Sequence, residues 1–102
     1  KLFVLLVGER TRYLTKFVQW EIDQAISRSL PMIVVNLNAR RSMDSLRCPT
    51  TAQNALAVHI SFNAAIMQHA MDNWPTSHEK LSREGKFGPY YYQDDVYTRL
   101  GL

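Results

Sequence analysis

The sequence predicts a three-layer α/β domain built on a mostly parallel sheet, and three observations carry that prediction. Leu2 to Val7 is an unbroken apolar run ended by Gly8, and Met32 to Leu37 is a second run rich in β-branched residues. Strands buried on both faces read this way, whereas half-exposed strands alternate. Between the runs lies one stretch whose apolar residues recur at helical spacing, so the first third of the chain is a strand, a helix and a strand.

The elements follow in order. After Gly8 comes a polar turn, Gly8-Glu9-Arg10-Thr11-Arg12, and Thr15 is placed to cap a helix. Its stripe is Val18, Ile22, Ala25, Ile26 and Leu30, one buried face, and Pro31 ends it. From Asn38 to Asn54 the chain is polar, with Arg40, Arg41, Ser42, Asp44, Ser45, Arg47 and Pro49, and is read as a long surface loop able to lie over a ligand. Leu56 to Ile60 is a third strand, and Phe62 to Trp74 a helix stopped by Pro75. A polar stretch from Thr76 to Pro89, a cluster Tyr90-Tyr91-Tyr92 and a last helix within Asp94 to Leu102 complete the chain.

At 102 residues the chain is read as a single domain over 1–102. It opens on a run that needs neighbours at both edges, which predicts that preceding sequence supplies N-terminal strands. The formal charge of +3, from 12 basic and 9 acidic residues, suits an anionic ligand but has no clustered basic stripe, which argues against nucleic-acid binding. One cysteine, Cys48, allows no internal disulfide and belongs with no metal-ligand spacing, so a cytoplasmic location and no metal are expected. No apolar run approaches the ~20 residues that cross a bilayer, so no membrane association is expected.

In an open parallel sheet, ligands bind beyond the carboxyl ends of the strands. Gly8 to Thr11, Asn36 to Arg41 and Ser61 to Asn63 converge there. Glu21, in the second turn of the first helix, reaches the same rim. Arg10 and Arg12 flank a helix N-terminus, where anions are favoured. Trp20 offers a stacking face for a base or a nicotinamide ring. Each has a plainer counterpart: Glu21 as a solvated helix residue, the arginines as exposed turn residues, and Trp20 as packing. Arg40 and Arg41 share that ambiguity. His59 and His69 lack a nearby nucleophile and an orienting group and are read as structural. Arg47 beside Cys48 would lower its pKa, but no partner base is evident, and Cys48 is read as incidental. The three tyrosines are read as cover for a sheet edge or as a partner surface.

Val7-Gly8-Glu9-Arg10-Thr11, followed by Lys16-Phe17-Val18-Gln19-Trp20-Glu21-Ile22 and Ala25, resembles the TIR pattern of strand, small polar turn, and a helix reading aromatic, small, two variable residues, glutamate, aliphatic. It is most similar to the bacterial TIR-like group of Thoeris antiphage defence. Phe17 falls at the usual tryptophan place, Val18 at the usual cysteine place and Glu21 at the place of the catalytic glutamate. Asn54 to Ile60, Asn73-Trp74-Pro75 and Val96 to Leu102 also resemble the later part of that group.

The resemblance implies a flavodoxin-like strand order, of which this chain holds the later three strands. It also implies cleavage of the nicotinamide glycosidic bond of NAD to ADP-ribose or a cyclic ADP-ribose-type signal. On this reading Glu21 is the catalytic residue, Gly8, Arg10, Thr11, Trp20 and Asn36 bind substrate, and NAD is substrate with no cofactor required. NAD or a related nucleotide and TIR–TIR self-assembly are the implied partners. The rival reading is a non-catalytic TIR-like module that binds a nucleotide or a protein.

Overall fold

Four parallel strands form one sheet in the order β1-β2-β3-β4: β1 is Phe3–Val7, β2 Met32–Asn36, β3 Ala57–Ser61 and β4 Pro89–Tyr91. Four helices connect and cover them: α1 is Lys16–Ser27, α2 Thr50–Asn54, α3 Ala64–Arg83 and α4 Asp94–Arg99. The computed structural model describes residues 1–13 and 15–102. The architecture is the expected three-layer, flavodoxin-like α/β arrangement, with all four strands parallel.

The register explains why the apolar runs are continuous. Leu5 pairs with Val34, Met32 with Ala57 and Ile33 with Val58, so alternate residues of β2 and β3 enter two separate cores. In contrast β1, expected to be buried on both faces, buries Leu5 and Val7 on one face and leaves Val4 and Leu6 exposed on the other. Leu5, Val7, Met32, Val34 and Ala57 pack with Ile22 and Ala25 of α1 and with Ala52 of α2. Ile33, Val35, Val58 and Ile60 pack on the other face with Ile66, Ala70 and Trp74 of α3 and Tyr97 of α4. A strand buried on both faces has no polar side to show.

Thr15 caps α1 as expected, its Oγ1 accepting from the Val18 N–H at 3.3 Å. At the other end Ser29 adopts φ 53°, and the Leu30 N–H donates to the Ala25 carbonyl at 2.9 Å, a left-handed close to the helix. Ile26, assigned to the buried stripe, is instead 44% exposed, while Ile22 and Ala25 of α1 are buried.

Three readings are corrected. Pro75 does not stop the third helix, which runs through it to Arg83. Ile66, Ala70, Trp74 and His78 follow one another at four-residue intervals and are all buried, so the stripe continues across the proline. Proline costs a helix interior about 3 kcal/mol, and burial of large side chains on both sides of it offsets that. Nearby carbonyls are met by side chains, with Asn73 Nδ2 donating to the His69 carbonyl at 2.8 Å and the Ser77 hydroxyl to the Asn73 carbonyl at 3.4 Å.

The polar stretch 38–54 contains the short helix α2, whose Ala52 is fully buried. Of the tyrosine cluster, read as cover for a sheet edge or as a partner surface, Tyr90 and Tyr91 instead form part of a fourth, edge strand. Tyr90 enters the second core against Trp74, ring centroids 6.0 Å apart, and Tyr92 packs there too, while Tyr91 remains 55% exposed.

Candidate functional site

The turn after β1 is built by one hydroxyl. Thr11 Oγ1 accepts from the Gly8 N–H at 2.8 Å and donates to the Leu6 carbonyl at 3.4 Å, folding the chain into the single 3-10 turn Thr11–Tyr13. That turn delivers the chain to Thr15 and so sets where α1 begins. Val18, Ile22 and Ala25 dock α1 onto the sheet. Glu21 precedes Ile22 and therefore stands at the margin of the docked face, half-buried.

Glu21 lines a cleft of about 540 Å³ together with Arg10, Thr11, Tyr13, Thr15 and Val18, over a floor of Phe3 to Leu6. A carboxylate and a guanidinium thus share one concavity of the size that small-molecule sites occupy. Of Glu21, Gly8 and Arg10, whose convergence would mark an active site, Glu21 and Arg10 line this cleft, joined by Thr11. Gly8 is not in the lining, and a Cβ there would stand 3.5 Å from Leu37 Cδ1, so its lack of a side chain is not what opens the cleft.

Among the described residues the floor is an edge strand of the sheet. The Phe3 N–H donates to the Pro31 carbonyl at 2.8 Å, and the Val7 carbonyl accepts from the Leu37 N–H at 2.9 Å, so residues 3, 5 and 7 turn their peptide groups toward β2. Val4 and Leu6 consequently turn theirs outward, and their side chains are 39% and 50% exposed where α3, which packs on β3 and β2, does not reach. Thr11 engages the Leu6 carbonyl; the Val4 peptide groups and the Leu6 N–H face the cleft side.

The remaining candidates lie elsewhere. Asn36 is fully buried at the end of β2, where its Nδ2 donates to the carbonyls of Arg40 at 3.1 Å and Ser42 at 2.9 Å and holds the following loop. Arg40 donates to the Met43 carbonyl at 3.4 Å. Arg41 lies 4.2 Å above the Tyr97 ring and pairs with Asp94 at 3.3 Å, tying that loop to α4. The carboxyl ends of β2 and β3 are thereby covered, and the open concavity sits at β1.

Trp20 is 57% exposed, stacked on Phe17 with ring centroids 6.4 Å apart, and is not core packing. It lines a second cleft with Arg12, Tyr13 and Lys16. Tyr13 and the edge peptides of β1 carry no sequence signal as site components; only the turn and register bring them to Glu21.

Three buried polar groups complete the picture. His59 is fully enclosed in β3 with neither ring nitrogen partnered among the described residues, and burial pushes its pKa down to about 4. Cys48 is buried, and desolvation, reinforced by Asp44, raises its thiol to about 11, opposite to the lowering expected from Arg47. Burial of Asp44 opposes its ionisation, but Asn38 Nδ2 and the N–H groups of Leu46 and Arg47, with the charge of Arg40, outweigh it and hold the carboxyl below its ordinary value. Among the described residues no group of three His, Cys, Asp or Glu side chains is arranged to hold a metal ion, and no helix is long and apolar enough to cross a membrane.

Comparison with known families matches residues 1–42 to the Thoeris protein ThsB, TIR-like domain. The match covers β1, the turn, α1 and β2, and so includes Arg10, Thr11, Glu21 and every other residue that lines the β1 cleft. It agrees with the resemblance drawn from Val7 to Ala25. No curated protein matches the chain.

Proposed function

We propose, from the likeness of residues 1–42 to the TIR-like domain of the Thoeris protein ThsB, that this protein takes part in antiphage defence by cleaving the nicotinamide glycosidic bond of NAD. The observation that carries the proposal is the single cleft shared by Glu21, Arg10 and Thr11. Nicotinamide is bound to ribose as a cation, so when the C1′–N bond breaks it leaves neutral with the bonding pair. No general acid is required. Positive charge develops instead on the ribose ring, and a preorganised carboxylate stabilises it.

Glu21 supplies that carboxylate and accepts from the ribose hydroxyls, which orients the sugar. Its half-buried position at the margin of α1 gives it less competing water than a fully exposed residue has. Arg10 serves a phosphate, and the outward peptide groups of Val4 and Leu6 offer donors and an acceptor to the carboxamide. Water attacking the oxocarbenium carbon and losing a proton gives ADP-ribose. Attack by a base nitrogen of the same molecule gives a cyclic product.

The test is nicotinamide release from NAD, followed chromatographically for the protein and for Glu21→Gln. Loss of one preorganised electrostatic contact is expected to lower the rate by about a hundredfold; wild-type turnover by the variant overturns the assignment. The exposed apolar residues of the cleft floor, Val4 and Leu6, favour a second reading, a non-catalytic module that binds a nucleotide or a partner protein. Binding of NAD with no nicotinamide release would select that reading.

A further inference from the structure

The second cleft, about 520 Å³ between α1 and the start of α2, has a composition of its own. Arg12 and Lys16 stand at one end with the hydroxyl of Thr15, while Trp20 and Asp23 stand at the other. Charge therefore runs from positive to negative along its length. Arg12 is steered over the cleft by donating to the Leu46 carbonyl at 3.3 Å, which leaves its other N–H groups available. Gln19 is fixed between Asp23 at 2.9 Å and the Thr51 hydroxyl at 3.1 Å, so that wall is ordered.

Two rings flank this space in an unusual degree of exposure, Tyr13 at 80% and Trp20 at 57%. Phe17 lies beside Trp20 with ring centroids 6.4 Å apart and planes 20° from parallel. A solvent-facing indole sharing one cleft with two cations is what a base joined to a phosphate requires. The two clefts also meet, because Tyr13 and Thr15 line both. They run along opposite flanks of α1 and join at its N-terminal end, where the first N–H groups lack helical partners.

We propose that the Arg12–Lys16–Trp20 cleft binds the adenine nucleotide half of a dinucleotide. The base stacks on Trp20, the ribose hydroxyls lie toward Asp23, and the phosphates sit between Arg12, Lys16 and Thr15. Its identity as half of NAD rests on the proposed reaction: the nicotinamide riboside half occupies the Glu21 cleft, and the pyrophosphate bends around the end of α1 at Thr15. Nucleotide binding by this cleft does not depend on cleavage, which allows the two ideas to fail separately.

Titration calorimetry with ADP tests it on the wild-type protein, on Arg12→Ala/Lys16→Ala, on Trp20→Ala and on Glu21→Gln. ADP is expected to bind saturably, and the double substitution to weaken binding at least about tenfold through loss of charge-assisted contacts. Trp20→Ala is expected to weaken ADP but not inorganic pyrophosphate, and Glu21→Gln to leave ADP affinity within about twofold, since that carboxylate lies in the other cleft. All substituted side chains in the second cleft are on the surface, and circular dichroism confirms that the variants fold.

No binding of ADP at millimolar concentration, or equal ADP affinity in the double variant and the wild type, overturns the proposal. If ADP binds through Arg12 and Lys16 while NAD is never cleaved, the nucleotide site stands and the reaction falls. If NAD is cleaved with the wild-type KM by the double variant, the reaction stands and this site falls.

Discussion

His59 allows the sharpest test of how the fold handles polarity. It is fully enclosed in β3, its ring nitrogens have no partner among the described residues, and burial pulls its pKa from 6.5 to about 4. The unfolded chain therefore takes up a proton on this residue below about pH 6.5, whereas the folded protein does so only near pH 4. The unfolded state binds more protons across that window, so stability falls as pH falls through it. At 1.36 kcal/mol for each unit of pKa difference, the loss approaches about 3 kcal/mol near pH 4, and about 2 kcal/mol of it is present by pH 5.

Urea unfolding followed by tryptophan fluorescence, at several pH values from 7 to 4.5, measures that slope. His59→Leu keeps most of the volume and removes both the titration and the orphaned nitrogens. It is expected to match or exceed the wild type at pH 7 and to lose most of the slope between pH 6.5 and 4.5. His78, whose pKa burial also lowers, contributes to the slope that remains. Equal slopes for His59→Leu and the wild type would refute the reasoning.

Other expectations follow from the same packing. Asp44→Ala removes the acceptor for three N–H donors and is expected to cost about 2 kcal/mol in urea unfolding at pH 7; because the carboxyl is held below its ordinary pKa, its contribution is present above pH 3.8 and fades as pH falls below it. Cys48, buried with a thiol near pKa 11, is expected to resist a disulfide reagent at pH 8 in the native protein and to react at once in denaturant. Pro75→Ala restores an N–H for the Met71 carbonyl and is expected to raise stability by about 1 kcal/mol, read as a higher Tm, after the loss of proline's restraint on the unfolded chain. Unchanged or lower stability would mean that the proline shapes α3 rather than being tolerated by it.

Several elements were legible from local pattern. Continuous apolar runs at Leu2–Val7, Met32–Leu37 and Leu56–Ile60 became β1, β2 and β3 within a residue or two; β2 and β3 lie between two helical layers and have no polar side, while β1 is buried on one face only. Thr15 was readable as a cap because the Val18 N–H it satisfies lies only three residues away. The meeting of Arg10, Thr11 and Glu21 was readable because all three flank one strand-to-helix junction.

What misled was any signal whose outcome depends on distant partners. Pro75 is a helix breaker locally, but Trp74 and His78 find cover on the sheet and carry the helix across it. Tyr90 and Tyr91 lack alternating apolar neighbours, yet pairing of Val58 with Tyr90 and of His59 with Tyr91, with Trp74 packed on Tyr90, makes a strand. Arg47 stands next to Cys48 in the chain, but the thiol points into the core and desolvation decides its pKa. Asn36 ends a strand facing the ligand rim in sequence and is fully buried in space, committed to the loop carbonyls.

By itself, then, the sequence determined the alternation of strand and helix, the parallel sheet and the turn that sets Glu21 beside Arg10, because these rest on periods and contacts a few residues long. Tertiary structure alone decided that the carboxyl ends of β2 and β3 are closed by Arg41 on Tyr97, that two clefts flank α1, and that Val4 and Leu6 lie on the sheet edge beneath Glu21. Those outcomes depend on which elements lie side by side, and a residue's burial and free hydrogen-bonding groups are settled only when its neighbours from elsewhere in the chain arrive.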